Sequence, residues 1–264
     1  MSKTVLYAKN TYELIKILNN NAGIQVVGGC SQIEELPEKF VSTHGIKELS
    51  QIERHERYIN VGPGTTLAEL LALRSHLPPI LSEALYTIAN PSIRNIATIG
   101  GNICAKDHHH TLFAPLMALD TKLEFRNQNE RRTENIKNFK GVPEGVILSN
   151  IKIRFLDAEL SIFRRIGHEK KISKRSASFA FLADTEKNSL LKIHLAFAGP
   201  FTFTSKDFEN AMIGRRLPLS QKDVNEIEDL ITKEFEKVAQ DQMISDVMKQ
   251  QFINLARYSF EQLT

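Results

Sequence analysis

Two glycine pairs are the residues of this chain best suited to binding a ligand. Gly28-Gly29 follows the apolar run Ile24–Val27, and Gly100-Gly101 lies within the segment Asn90–Asn102. Adjacent glycines let backbone amides approach a ligand without a Cβ in the way, and successive N–H groups in a turn can bind phosphate oxygens. Two such loops could hold the two phosphates of one dinucleotide. Taken alone, each pair is more simply a tight turn, because a glycine pair is a weak motif.

The first glycine pair does not belong to an established nucleotide-binding motif. It lacks the lysine of a P-loop and the GxGxxG spacing of a Rossmann fingerprint. Around the second pair, Thr98 and Asn102 offer a hydroxyl and a carboxamide for uncharged hydrogen bonds. The segment Gly62-Pro63-Gly64 also lacks the P-loop lysine, and it is predicted to be a turn that leads into a capped helix.

The cysteines limit the redox chemistry that this chain could perform. Cys30 and Cys104 are too few for a disulfide framework, a four-cysteine zinc site or the four thiolates of an ordinary iron-sulfur cluster. A redox cofactor would therefore be organic or would belong to another chain. Cys30 could be a nucleophile beside the glycine pair, although a small buried residue is the favoured interpretation, and Cys104 is expected in the core.

The histidines do not form a recognisable metal motif. His108-His109-His110 are consecutive, so their side chains point in different directions, and an exposed loop is the favoured interpretation. His55-Glu56 and His168-Glu169 begin like HExxH, but isoleucine occupies the last position of both. No metal site and no GxSxG nucleophile elbow is predicted.

Composition and charge indicate a globular protein. The 264 residues are 42% hydrophobic and 25% charged, and Lys+Arg 34 against Asp+Glu 31 gives a formal charge of +3. Disorder and a general nucleic-acid footprint are therefore disfavoured. The run Arg164–Arg175 is most simply a solvated face, but it could contact anionic groups of a cofactor, a partner subunit or nucleic acid. Without a signal-like start or a membrane-length apolar run, a cytoplasmic location is expected.

The elements that must position the glycine pairs alternate along the first half of the chain. The pattern predicts strands at Thr4–Tyr7, Ile24–Val27 and Tyr58–Val61, with a helix over Thr11–Asn20 whose apolar face contains Leu14, Ile15 and Leu18. Thr66 and Glu69 form a capping-box pattern for a helix that ends near Arg74. Helical spacing over Ser82–Ala89 stops before Asn90-Pro91.

The second half predicts strands followed by helices. Ile151, Ile153 and Phe155 alternate as a strand after a polar stretch, and a domain boundary is expected at residue 158. Leu191–Phe197 alternates as an antiparallel strand with one face in water. Ser220 and Asp223 cap a helix, and a last apolar-faced helix follows. These patterns predict an α+β protein with a domain of residues 1–158 and a smaller α+β domain of residues 159–264.

Taken in order, these segments resemble the FAD-binding (medium) subunit of molybdenum-cofactor hydroxylases, the xanthine dehydrogenase and carbon monoxide dehydrogenase family. VGGCS at residues 27–31 resembles the family's AGGTD loop, and VGPGTTLAEL at residues 61–70 resembles IGAxTTLAEL. IRNIATIGGN at residues 93–102 resembles IRNxATIGGN almost letter for letter. The second domain is similar more loosely, through Phe163–Gly167, Ala198-Gly199 and Gly214.

The resemblance implies an FAD-binding domain of the p-cresol methylhydroxylase type and a set of cofactor-binding residues. Two loops would hold the FAD pyrophosphate and neighbouring groups by backbone amides. Ile88 would lie near the flavin ring, Ile147 or Leu148 near the adenine end or the ring edge, and Arg165 would contact FAD. The residues of the two loops are Gln25, Val26, Val27, Gly28, Gly29, Cys30, Ser31 and Gln32, and Thr98, Ile99, Gly100, Gly101 and Asn102.

Three positions depart from the family pattern. Thr111 stands where the family usually has an aspartate nine residues after Asn102, Cys30-Ser31 replaces Thr-Asp, and Arg165 replaces a lysine. Arginine keeps the charge of lysine but not its shape. A pyrophosphate held by backbone amides should tolerate these changes, whereas cofactor affinity and redox tuning could change.

The implied activity is that of a flavoprotein oxidoreductase subunit in a hetero-oligomer, inactive on the organic substrate without its partners. It would take electrons from an iron-sulfur subunit, with a molybdenum-cofactor subunit in the same complex, and pass them from reduced flavin to an acceptor such as NAD. The alternatives are a degenerate scaffold subunit without flavin, a nucleic-acid module using Arg164–Arg175, and a self-sufficient flavin oxidase.

Overall fold

The chain forms two compact units. The computed structural model describes residues 3–33, 35–106, 108–168, 173, 175–240, 242 and 244–264. The first unit comprises Met1–Leu77, Ile88–Lys106 and Asp120–Phe155. The second comprises Pro78–Thr87, Asp107–Leu119 and Leu156–Thr264.

The elements of the described residues are numbered along the chain. The strands are β1 Thr4–Tyr7, β2 Gln25–Val27, β3 Lys39–Ser42, β4 Ile52–Arg54, β5 Tyr58–Val61, β6 Lys122–Arg126, β7 Arg131–Asn135, β8 Ile147–Arg154, β9 Leu160–Ile166, β10 Ala177–Glu186, β11 Ser189–Ala198 and β12 Thr202–Phe203. The α-helices are α1 Thr11–Asn20, α2 Leu67–Ala72, α3 Pro79–Tyr86, α4 Pro91–Arg94, α5 Ile99–Ile103, α6 Phe113–Ala118, α7 Lys206–Met212, α8 Gln221–Ala239 and α9 Asp246–Glu261. Short 3-10 helices cover Lys47–Ser50, Arg74–His76 and Ile136–Asn138.

A small parallel sheet in the first unit leads into the first glycine pair. Its order is β1-β3-β2, and β2 ends at Val27, directly before Gly28. Helix α1 begins at the N-cap Asn10 and buries Leu14, Ile15 and Leu18, as predicted. The apolar, β-branched run Ile24–Val27 predicts a buried strand, and this prediction is wrong because β2 is an edge strand and Val26 is 45% exposed.

The first unit also contains an antiparallel sheet in the order β4-β5-β8-β6-β7. Its core face is set by the alternation of the strands, and Ile59, Val61, Leu123, Ile151 and Ile153 are buried there. The opposite face carries polar side chains, as expected for an antiparallel sheet with one face in water.

The second unit has an antiparallel sheet in the order β12-β11-β10-β9. One face packs on α8 and α9 through an aromatic cluster in which the Phe235 and Phe252 rings stack at 4.1 Å and Phe197 meets both edge-on. The prediction of one face in water holds at Lys192, which is exposed, but is wrong further along. Ala180 and Ala196 on that face are buried, and α6 packs on β10 and β11. Leu191 is exposed because a bulge interrupts its alternation.

The division into units differs from a single boundary at residue 158. The last crossing of the chain lies between Phe155 and Leu156, but residues 78–87 and 107–119 also belong to the second unit. The physical reason is apolar burial: α3 packs on β9, and α6, whose residues are all buried, packs on β10 and β11. Both helices precede residue 158 in the sequence.

Candidate functional site

The first glycine loop has a row of free backbone donors. The loop turns sharply after β2, because Cys30 adopts a left-handed conformation with φ 55° and the N–H of Ile33 donates to the carbonyl of Cys30. Among the described residues, no protein group accepts a hydrogen bond from the backbone N–H groups of Gly28–Gln32. Successive unpaired N–H groups around a left-handed residue form a nest for an anion.

The second glycine pair has a different conformation from the predicted turn. Thr98 caps the short helix α5, and its Oγ1 accepts from the N–H of Gly101 at 3.0 Å. The N–H groups of Ile99 and Gly100 donate to the carbonyls of Thr65 and Pro63. The amides of this segment are therefore already engaged within the protein, and neither glycine has a positive φ.

The two glycine pairs meet at the segment before α5. A Cβ on Gly29 would lie 1.5 Å from the carbonyl oxygen of Ile96, so only glycine permits this approach. Cβ atoms on Gly28 and Gly101 would each lie 3.2 Å from Thr98 Oγ1. The Thr98 hydroxyl therefore lies next to both glycine pairs, and the two loops form one site.

The turn Gly62-Pro63-Gly64 packs against the second glycine loop at Gly100. A Cβ on Gly100 would lie 2.6 Å from the Pro63 carbonyl oxygen, which also accepts the Gly100 N–H at 2.9 Å. The predicted capping box follows directly: Thr66 and Glu69 exchange hydrogen bonds at the start of α2. This turn therefore fixes the position of α5 and, through Thr98, one side of the site.

The remaining predicted residues of the first unit differ in their exposure to solvent. Val27 is buried, Ser31 is half-buried, and Gln25 and Gln32 are exposed. Ile88 and Asn102 are both buried. Leu148 pairs with Phe125 in the antiparallel sheet and is buried, whereas Ile147 packs in the cluster beneath α1.

Thr111 and Arg165 belong to the second unit. Thr111 is buried shortly before α6, and Arg165 is half-buried on β9 opposite Ser178. The basic run that contains Arg165 is described only in part. Lys170, Lys171 and Lys174 lie outside the described residues.

The cysteines do not provide an activated thiolate. Cys30 is exposed, so the prediction of a buried residue is wrong, and its Sγ lies 3.4 Å from the carbonyl oxygen of Gly28. Partial burial of the thiol raises the pKa of Cys30. Burial raises the pKa of Cys104 to about 12. Neither thiol is therefore predisposed to act as a nucleophile.

The three consecutive histidines are not an exposed loop. His108 Nε2 lies 2.5 Å from the Ser176 carbonyl oxygen, and His109 Nδ1 lies 3.0 Å from that of Gly199. His110 is only 8% exposed. Within the described residues, no group of three or more His, Cys, Asp and Glu side chains is placed to hold a metal ion. The histidines instead pack the segment before α6 against neighbouring loops of the second unit.

This packing predicts a loss of stability in mild acid. Burial and the neighbouring His108 and His109 lower the pKa of His110 to about 4, below the usual 6.5. The unfolded state therefore takes up a proton between these values that the folded state does not. Going from about pH 7.5 to about pH 5, the free energy of unfolding should fall by about 2 kcal/mol from His110 alone.

Urea titrations of the wild type and His110→Gln would measure this contribution. The glutamine variant should lose that part of the pH dependence. Replacing the exposed His44 by glutamine should leave the dependence unchanged. If the free energy of unfolding changed equally with pH in the wild type and in His110→Gln, the assignment to His110 would be contradicted.

Two contributors to the site were not predicted as site residues. The carbonyl of Ile96 is the backbone group that Gly29 packs against, and the Arg94 Nη1 donates to the carbonyls of Ile88 and Ala89 at 2.7 and 2.8 Å. Arg94 and Ile96 both lie in residues 93–102, the segment that most resembles the family. This resemblance could have marked Arg94 as a candidate site residue. No sequence signal marks a carbonyl contact between distant segments.

Comparison with known proteins identifies the family of this chain. Residues 1–153 match the family model described as FAD binding domain in molybdopterin dehydrogenase, which includes both glycine loops. The chain belongs to this family. The cofactor of the family is FAD, and the recognition made from the glycine segments is confirmed.

Similar chains from this group include dehydrogenase subunits. The glyceraldehyde dehydrogenase medium chain of Sulfolobus acidocaldarius is 24% identical over 80% of this chain and 80% of its own length. The putative xanthine dehydrogenase FAD-binding subunit XdhB of Escherichia coli K12 is 33% identical over 43% of this chain, and the match spans 40% of that relative.

Solved structures confirm the α+β fold. A chain of carbon monoxide dehydrogenase from Hydrogenophaga pseudoflava matches with a TM-score of 0.81 at 18% identity, covering 100% of this chain and 96% of its own. A chain of quinoline 2-oxidoreductase from Pseudomonas putida 86 matches with a TM-score of 0.80 at 14% identity, covering 100% and 95%. None of the helices in the described residues is long and apolar enough to span a membrane.

Proposed function

We propose that this chain binds FAD at the two glycine loops as an oxidoreductase subunit of a molybdenum hydroxylase-type complex. The observation that carries the proposal is the set of Gly28–Gln32 N–H groups, which have no acceptor among the described residues. Gly29 packs against the Ile96 carbonyl with no room for a Cβ, and Gly28 lies beside Thr98. A diphosphate needs several hydrogen-bond donors and no side chain in its way, and this loop meets both needs.

The two loops would have different roles in holding the cofactor. The amides of Gly28–Gln32 would bind the phosphate oxygens. The second loop supplies the Thr98 hydroxyl beside Gly28, whereas its own amides support α5. Bound FAD would supply hydride and electron-transfer chemistry that no side chain of this chain can provide.

The cofactor roles of the other predicted residues stay predictions. Ile88, Asn102 and Leu148 are buried residues of the same unit as the glycine loops. Thr111 and Arg165 are assigned by family resemblance, with Arg165 offering a cation for an anionic group of FAD.

The proposed partners are an iron-sulfur subunit and a molybdenum-cofactor subunit, with an acceptor such as NAD. Support comes from the names of similar chains, which include subunit alpha of the 6-hydroxypseudooxynicotine dehydrogenase complex of Paenarthrobacter nicotinovorans, 35% identical over 36% of this chain. The cytoplasmic location and the dependence on partners for substrate oxidation stay predictions of the same proposal.

The visible absorption spectrum of the purified chain tests the cofactor. We expect flavin bands as isolated or after incubation with FAD, and the released cofactor should be FAD rather than FMN. A folded protein with no flavin in either state, copurifying with iron-sulfur and molybdenum subunits, would favour the non-flavin scaffold. Reduction of the flavin by the assembled complex and its reoxidation by NAD would test the acceptor.

A further inference from the structure

Arg94 lies within the segment of residues 88–98, which contacts the first glycine loop. Arg94 is the last residue of α4. Its guanidinium Nη1 donates hydrogen bonds to the carbonyls of Ile88 at 2.7 Å and Ala89 at 2.8 Å. Hydrogen bonds from a charged donor are stronger than those between neutral groups. The half-buried Arg94 side chain therefore links the end of α4 to the backbone of Ile88 and Ala89 at the start of this segment.

The turn that Arg94 holds is strained. Ala89 has φ 47°, a left-handed conformation that is unfavourable for a residue with a Cβ. A non-glycine residue keeps such a conformation only where surrounding contacts hold it. The bonds from Arg94 to the carbonyls of Ile88 and Ala89 are contacts of this kind.

The far end of the same segment forms the wall of the site. The N–H groups of Ile96 and Ala97 both donate to the Ile93 carbonyl, so the position of α4 sets the position of Ile96. The Ile96 carbonyl oxygen lies where a Cβ of Gly29 would be, and Thr98 Oγ1 lies beside Gly28. Displacement of α4 would therefore move the surface on which the Gly28–Gln32 loop rests.

We propose that Arg94 is a positioning residue that holds the Gly28–Gln32 loop in the shape that binds the diphosphate of FAD. This inference rests on the proposed function for its ligand. Arg94 acts through the backbone of Ile88 and Ala89 at one end and of Ile96 at the other, without needing to contact the cofactor.

Equilibrium binding of FAD to the apoprotein tests this role with three arginine variants. Arg94→Met keeps the length of the side chain but removes its donors, and FAD affinity should fall by about tenfold. Arg94→Lys keeps a charged donor and should recover most of the affinity. Arg57→Met, at an exposed arginine of the same unit, should bind FAD as the wild type does.

A second substitution distinguishes positioning from general damage. Ala89→Gly removes the strain of the left-handed turn, so in the Arg94→Met background it should restore about threefold in FAD affinity. In the wild type it should change affinity by less than about twofold, because Arg94 already holds the turn. If Arg94→Met binds FAD as tightly as the wild type, or loses only stability to urea, the positioning role is refuted.

The thiol of Cys30 reports the loop without requiring FAD. Cys30 is exposed on the loop, so its iodoacetamide labelling rate should change by about threefold or more in Arg94→Met and return in Arg94→Lys. An unchanged rate would overturn the inference even if the chain bound no FAD. A changed rate in a chain that binds no FAD would overturn the proposed cofactor while retaining the effect of Arg94 on the loop.

Discussion

Replacing Gly29 by alanine should reduce FAD affinity by at least about 100-fold, because the loop cannot keep its shape with a Cβ at this position. That Cβ would lie 1.5 Å from the Ile96 carbonyl oxygen and 2.5 Å from its carbon. Both atoms are backbone, so relief requires movement of the loop or of the segment before α5. The free energy of unfolding should also fall by about 1–3 kcal/mol, as for other overpacked sites.

The neighbouring Gly28 is the matched control for this experiment. A Cβ there would lie 3.2 Å from the Thr98 hydroxyl, which can give by a few tenths of an ångström. Gly28→Ala should therefore lose less than about tenfold in affinity. Isothermal titration of FAD into each apoprotein measures the difference. Equal affinities for Gly29→Ala and the wild type would show that the diphosphate does not depend on this loop.

Replacing Gly101 by aspartate should lower FAD affinity by about 100-fold, equivalent to about 3 kcal/mol of electrostatic repulsion. Gly101 is exposed, and among the described residues a Cβ there would have only the Thr98 hydroxyl within 4 Å, at 3.2 Å. The Cβ of an aspartate would require only a small shift of that hydroxyl, but its charge would lie next to the loop proposed to bind the diphosphate.

The fold should tolerate this substitution, which separates binding from stability. Gly101 is the third residue of α5 after the Thr98 cap, where an acidic residue is favourable for the helix. Gly101→Asn has the same shape without the charge and is expected to lose less than about tenfold. The difference in FAD affinity between Gly101→Asp and Gly101→Asn should become smaller in high salt, because salt screens the charge of the aspartate. Equal binding by both would refute the predicted proximity of phosphate.

Local sequence rules predicted the elements whose determinants are local. The limits of α1 follow from its apolar face, and the capping boxes at Thr66 and Ser220 mark the starts of α2 and α8. Each of these signals involves residues within one helical turn of one another. The sequence needs no knowledge of distant packing to specify them.

Elements that depend on neighbours were missed or described wrongly. Strand β7 has the sequence RRTEN, with no apolar alternation, and it forms because β6 offers it a partner edge. The outer face of β11 was expected in water because its composition does not show that α6 covers it. Tertiary contacts decide both cases.

The proximity of the two glycine pairs could be predicted from the sequence, but the backbone contacts that produce it could not. The sequence indicated that Gly28-Gly29 and Gly100-Gly101 belong together, and the structure brings both to Thr98. It did not indicate that Gly29 is required by the carbonyl of Ile96, or that the amides around Gly100 are occupied. Such contacts between distant backbone groups leave no local pattern.

The path of the chain between its two units limits how genes of this kind can recombine. The chain passes from one unit to the other after Leu77, Thr87, Lys106, Leu119 and Phe155. A crossover near residue 158 would join α3 and α6 from one parent to the strands they pack on from another. The interface of α6 is wholly buried, so mismatched side chains there would be costly. Residues 78–264, which include the second glycine loop, should therefore be inherited as one block.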